Sequence, residues 1–229
     1  MLIIKIVNDL ISLFYPRICA ACTEPLVRNE TLFCTTCRFE LPRTHFHLDE
    51  NNEVAQIFWG RVPVEFATAH FFFQKGGRVQ ELLHKLKYKG QKDIGIELGL
   101  MIGRDLEQSP FSEVDMIIPV PLHKSKKRKR GYNQSECIAI GLAKALGKPI
   151  DTSTLYRAIA NPTQTRKHRF ERWTNVENIF KLKLPESLAN KHVLLVDDVV
   201  TTGATLEACA FTLLQGTNVK VSILAVAKA

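Results

Sequence analysis

The stretch from Val193 to Thr205, V-L-L-V-D-D-V-V-T-T-G-A-T, constrains the fold more than any other part of the chain. Four consecutive apolar residues, Val193 to Val196, have the pattern of a strand buried on both faces, which predicts a parallel sheet covered by helices. The strand is expected to stop at Asp197 and Asp198, and a helix is expected from Leu206 to Leu214. The first-turn N–H groups of a helix have no internal partners and carry the positive end of its dipole, so the turn between strand and helix suits an anion. Gly203 allows close approach to the backbone, and Thr201, Thr202 and Thr205 add hydroxyl donors. The two carboxylates cannot face the same anion favourably and call for something neutral or cationic, such as sugar hydroxyls or a metal. A phosphorylated ribose carries both kinds of group. The plainer alternative is a strand and a capped helix, with both acids as turn residues.

This stretch resembles the phosphoribosyl-pyrophosphate loop of the type I phosphoribosyltransferases, with its apolar run, two acids, short spacer and T-G-x-T. The resemblance implies that Asp197 and Asp198 hold the ribose hydroxyls. It also implies that Thr201, Thr202, Gly203, Ala204 and Thr205 wrap the 5-phosphate.

At 229 residues and 45% hydrophobic, the chain can fill one full domain core and a small appendage. Its net charge of +8 favours an anionic partner, and charge alone does not choose between a polyphosphate and nucleic acid. Residues 1–14 are apolar on one helical face, too short to span a bilayer, and lack the layout of a signal peptide. They are expected to form a helix docked on the body of a cytoplasmic protein whose cysteines stay reduced.

Cys19-x-x-Cys22, an eleven-residue spacer and Cys34-x-x-Cys37 form two knuckles suited to one tetrahedral metal. Zinc suits four thiolates and leaves no open position, so the expected role is structural. An iron–sulfur cluster or two disulfides are the alternatives. Cys137 and Cys209 stand alone in apolar helical patterns and are expected in the core. His45 and His47 are expected to be solvated loop residues, with further metal ligation as the alternative. The expected organisation is a zinc module with its leading helix over 1–45, a linker over 46–63 and the main domain over 64–229.

In the main domain, strands are predicted at 64–73, 115–121 (running into a proline-stiffened turn), 150–156 and 219–227, and helices at 78–89 and 94–106. A further helix runs to Gly147, capped by Asn133 or Ser135. The alternation argues for an α/β fold, a mostly parallel sheet with helices on both faces. Lys124 to Arg130 places six basic residues in seven positions immediately after a strand end. Ligands of open α/β sheets bind at such ends, although a basic run can also be a solvated loop or a localisation-like tract. A long basic segment from Arg157 to Arg172 suits a binding loop or lid, and its alternative is a mobile loop.

The basic turn, the lid segment and the cysteine knuckles together resemble the ComF family of competence and GntX-like proteins, a branch of the type I phosphoribosyltransferases. The resemblance covers nearly the whole chain and assigns the Pro121–Arg130 region to the pyrophosphate side, with Lys126 and Arg130 as the residues carried over. It assigns Gln164, Arg169 and Arg172, with Asn175 and Phe180, to the lid; Lys167 stands where the family has a leucine. It further implies a substrate, phosphoribosyl pyrophosphate, that arrives with magnesium, and a role with single-stranded DNA and the competence machinery during DNA uptake. No stretch identifies an acceptor or a catalytic residue. A complete amidophosphoribosyltransferase is not expected, because no amidase-sized region precedes the domain. Two classes of function remain: a phosphoribosyltransferase with an unknown acceptor, or a non-catalytic module that binds a metabolite or single-stranded DNA.

Overall fold

The computed structural model describes residues 15–159 and 179–229. Its centre is a four-stranded parallel sheet of β1 (Ala67–Phe72), β2 (Met116–Pro119), β5 (His192–Val200) and β6 (Lys220–Lys228), in the order β1-β6-β5-β2. Two short strands, β3 (Leu155–Arg157) and β4 (Phe180–Leu182), form a separate antiparallel ribbon. The helices are α1 (Thr35–Glu40), α2 (Glu53–Phe58), α3 (Arg78–Tyr88), α4 (Lys92–Leu106), α5 (Lys124–Arg130), α6 (Gln134–Leu146) and α7 (Ala204–Gly216).

Successive strand residues point to opposite faces, and the core divides accordingly. Leu194, Val196, Leu224 and Val226 pack with Leu82, Leu86, Leu98, Ile102, Ile138 and Leu142 of α3, α4 and α6. Val193, Leu195, Ile223 and Ala225 pack with Leu206, Cys209 and Leu213 of α7 and with Val54 and Phe58 of α2. The apolar run of β5 is continuous because both faces are covered, as its sequence predicts. The α/β class with flanking helices is the observed fold.

Both sheet edges are closed by irregular chain, which removes open hydrogen-bonding edges. Along β1, Phe72 N donates to Pro42 O at 2.8 Å and Thr44 N to His70 O at 2.9 Å. Along β2, Ile117 N donates to Pro149 O at 2.9 Å and Asp151 N to Ile117 O at 3.0 Å. The strand expected over 150–156 is therefore a single bridge at Ile150 followed by β3.

Helices α4 and α6 approach until their backbones touch. A Cβ on Gly99 would lie 2.1 Å from Ile138 O, and one on Gly141 would lie 2.0 Å from Ile96 O. Gly95 and Gly103 continue the same face of α4 at four-residue spacing, where added methyls would meet Cys137 and Ala145. This contact fixes α6, whose first turn enters the site described below.

Three expectations change. The acidic pair does not end the strand: β5 runs through Asp197 and Asp198 to Val200. The basic run is helix α5, with His123 as N-cap and Gly131 closing it in the left-handed region at φ 84°. The stretch expected as a linker contains α2, capped by Asn52, with Val54, Ala55 and Phe58 buried. The weak periodicity of 46–63 concealed this short helix because six residues hold less than two full turns.

Candidate functional site

The cysteine knuckles come first in the chain. The four candidate ligand sulfurs of Cys19, Cys22, Cys34 and Cys37 all lie within 4.8 Å of one another, and all four are free thiols. Two backbone amides point at sulfur: Cys34 N to Cys19 Sγ at 3.3 Å and Cys37 N to Cys34 Sγ at 3.4 Å. Such donors favour thiolate, the metal-binding form. Burial opposes ionisation of Cys19, but the amides of Cys34, Cys22 and Ala21 with the Cys22 side chain outweigh it and bring the thiol to about 7, whereas burial and the neighbouring thiols push Cys37 up. The donor set fits a structural metal. Its shell is continuous with the body: Cys19, Phe33, Cys37 and Leu41 belong to the core of α3 and α4. Lys85 Nζ donates to Ala20 O at 2.8 Å, and Arg38 pairs with Glu97 at 2.5 Å. His47 is not simply solvated; its ring stacks on buried His70 at 6.0 Å, and among the described residues neither histidine joins the metal-binding group.

The second site lies at the carboxyl ends of β2 and β5. Asp197 Oδ1 accepts from Ser135 Oγ at 2.9 Å and from Asp198 N at 2.9 Å. Asp198 is 5% exposed, and Lys87 Nζ of α3 lies 2.8 Å from its Oδ2. That contact is ionic without hydrogen-bond alignment, since Oδ2 has no aligned donor. Asn133 joins the strand end to the helix start: its Nδ2 donates to Val120 O at 2.9 Å and its Oδ1 accepts from Ser135 N at 3.1 Å. Both acids are thus held from two sides, by α6 and by α3.

Beyond β5, Thr201 and Thr202 are exposed and Gly203 takes φ 73° ahead of α7, which has no side-chain cap on its first turn. A side chain at Gly203 would meet α2, with Cβ 2.6 Å from Ile57 Cγ2. The turn therefore requires glycine for its backbone and for its space. Arg61, just after α2, donates to Thr202 O at 2.9 Å and pairs with Glu207 of α7. It braces the turn from outside.

Of the residues expected on the pyrophosphate side, Arg130 pairs with Gln134 at the start of α6, and its guanidinium lies 5.6 Å from the ring centroid of Tyr88. Lys126 is exposed on α5 and makes no hydrogen bond or ion pair among the described residues. Gln164, Arg169, Arg172 and Asn175 lie outside the described residues; β3 and β4 bring the two ends of that segment side by side. Phe180 is buried at the start of β4. Tyr132 is a core residue whose hydroxyl donates to Leu86 O, whereas Tyr88 is 66% exposed.

Three contributors escape sequence reading. Lys87 belongs to a basic helix face that is as readily a solvated one, Ser135 is visible only as a possible cap, and Arg61 falls in the expected linker.

Burial, together with the neighbouring Asp198 carboxylate, raises the Asp197 carboxyl to about 7. An acid whose folded pKa lies above its unfolded value, about 3.9, stabilises the fold fully below that value, and this stability is lost as pH rises to the folded pKa. Asp197→Asn is therefore expected to stabilise the protein at pH 8 by on the order of 2 kcal/mol and to be neutral at pH 4. Urea unfolding at the two pH values checks this; equal effects at both would show that Asp197 is ionised throughout.

Residues 129–228 match the phosphoribosyl transferase domain family, and they include both acids, Ser135 and the Gly203 turn. The chain is 34% identical over 138 residues to the DNA utilization protein YhgH of Salmonella typhi, covering 58% of this chain and 60% of that protein. It is 30% identical over 145 residues to Competence protein F of Haemophilus influenzae, covering 63% and 58%. The chain thus spans under two thirds of the length of these two relatives. Among solved structures it resembles a glutamine phosphoribosylpyrophosphate amidotransferase of B. subtilis, with TM-score 0.42, 22% identity, and coverage of 61% of this chain and 30% of that one. Residues 129–228 thus match a phosphoribosyl transferase domain, and the chain is similar to the YhgH and competence F proteins.

Proposed function

We propose that the crevice at the ends of β2 and β5 binds phosphoribosyl pyrophosphate. The observation that carries this reading is the juxtaposition of two constrained acids with a glycine turn that opens the uncapped helix α7. Asp197 and Asp198 would accept hydrogen bonds from the ribose hydroxyls, and residues Thr201 to Thr205 would hold the 5-phosphate. Arg130, with the exposed cations of α5, would face the pyrophosphate. Breaking the C1–pyrophosphate bond places negative charge on the leaving group, and fixed cations stabilise that charge. Magnesium would supply further charge neutralisation; it binds through few carboxylates and substrate phosphates, which suits a site with no protein cage. In this reading the reaction is phosphoribosyl transfer to an acceptor. Zinc in the four-cysteine group completes the cofactors, and the free thiols suit a reducing compartment such as the cytoplasm.

The test is calorimetric binding of phosphoribosyl pyrophosphate with magnesium to the wild type and to Asp197→Asn/Asp198→Asn. Two charge-assisted hydrogen bonds are lost, so affinity is expected to fall by about 100-fold or more. Equal affinity would sink the ribose assignment.

The basic helix favours a second reading, a module that handles single-stranded DNA. Helix α5 has no buried residue, and its neighbour Tyr88 is exposed beside Arg130. Charge and an aromatic platform are the two elements of such binding, and the names of two relatives, a DNA utilization protein and a competence protein, point the same way. Release of pyrophosphate in the presence of an acceptor supports the enzyme. Salt-sensitive binding of single strands without turnover supports the module. Among the described residues no helix is long and apolar enough to cross a membrane.

A further inference from the structure

Lys87 has no role in the reading above, yet it occupies the carboxylate that the ribose would need. Its position is set by the fold. Leu82, Leu83 and Leu86 anchor α3 in the core, and Tyr132 bonds the Leu86 carbonyl next to it. Lys85 is committed elsewhere, to Glu81 at 2.9 Å and to Ala20 O. Lys87 instead points at the acids, its Nζ 2.8 Å from Asp198 Oδ2, with the two side chains 25% and 8% exposed. The next residue, Tyr88, carries the Arg130 guanidinium over its ring. An ammonium thus sits on a buried carboxylate, and the residue next to it in α3 holds a second cation over its ring.

This arrangement sets up an exchange. A ribose diol arriving at Asp198 competes with Lys87 for Oδ2. A ligand that is neutral at C1 would leave the displaced ammonium half-buried and unpaired, which is unfavourable. A ligand with an anionic group at C1 gives the ammonium a new partner, shared with Arg130. We infer that Lys87 is a specificity-determining residue: it closes the ribose-binding carboxylate in the free protein and opens it for pentose phosphates that carry a polyphosphate at C1. The inference rests on the proposed phosphoribosyl pyrophosphate reading of the same site. No bond is made or broken in the exchange, and only ionic partners change.

Dissociation constants for phosphoribosyl pyrophosphate and for ribose 5-phosphate, measured by calorimetry with magnesium at pH 8 and fixed ionic strength, test it. Wild type, Lys87→Met and Lys87→Arg are compared. The wild type is expected to prefer the pyrophosphorylated sugar by about 30-fold or more, since that sugar adds a charge-assisted contact and avoids an unpaired cation. Lys87→Met should cut this ratio by about 10-fold, with ribose 5-phosphate bound no more weakly than by the wild type. Lys87→Arg, which keeps the charge, should retain most of the preference. If Lys87→Met fails to fold, Lys87→Gln keeps a polar head and the same expectation applies. An unchanged ratio, or equal weakening of both ligands, overturns the assignment while leaving the site reading intact. A wild type that binds neither sugar overturns the site reading, and this inference with it.

Discussion

Valine in place of Gly141 is expected to remove most of the protein's stability. The new Cβ would lie 2.0 Å from Ile96 O and 2.7 Å from Leu100 N, both backbone atoms. No rotamer change relieves such a contact, so α4 and α6 must separate along a face that also includes Gly95, Gly99 and Gly103. Overpacking of this kind costs about 3 kcal/mol or more, a large share of the roughly 5–15 kcal/mol that holds a typical domain. Urea denaturation should show a much lower midpoint for Gly141→Val. Gly76→Ala is the control: Gly76 has φ 76° and nothing within 4 Å of its Cβ, so only left-handed strain of about 1–2 kcal/mol is expected. Similar midpoints for the two variants would show that the helices do not meet backbone to backbone. The site should suffer as well, because α6 carries Ser135 to Asp197 and Asn133 to the end of β2.

Removing the metal from the four-cysteine group is expected to have the other large effect. Metal analysis should find one zinc per chain, and Cys37→Ser should lose it. Structural zinc in small modules supplies about 10–16 kcal/mol of apparent binding free energy. Part of that passes to the whole domain, because Phe33, Cys37 and Leu41 share a core with Leu82, Leu83 and Leu86 of α3. A fall in melting temperature of about 10 °C or more is expected, which for a chain of this size corresponds to a few kcal/mol. Since α3 also carries Lys87, loss of zinc should weaken ligand binding at a site whose residues are not metal ligands. A chelated, metal-free protein with an unchanged melting curve would remove the structural role.

Features set by neighbours in the chain were legible in the sequence. The doubly buried strand 193–196, the acids after it, the glycine turn and the following helix all depend on spacings of a few residues. The same holds for the two cysteine knuckles and for the Asn133 and Gly147 ends of α6. Lone Cys137 and Cys209 were readable as core residues because helical periodicity places them on the apolar face, and both are buried. Where local patterns were ambiguous, the reading missed. The six-residue α2 gave little periodicity, and the dense positive charge of α5 resembled a loop although its capping residues close a short helix.

By itself the sequence determined which chemical groups the protein carries close together along its chain: two adjacent carboxylates, a glycine-opened helix start, a basic run and four thiols. The tertiary structure alone decided what those groups face. Lys87 neutralises Asp198, Ser135 holds Asp197, and Arg61 braces Thr202, in each case across elements far apart in the chain. The physical reason is that burial and Coulomb pairing act through space. Whether a carboxylate stays charged, and which ligand can claim it, depends on the cation that the fold sets opposite it.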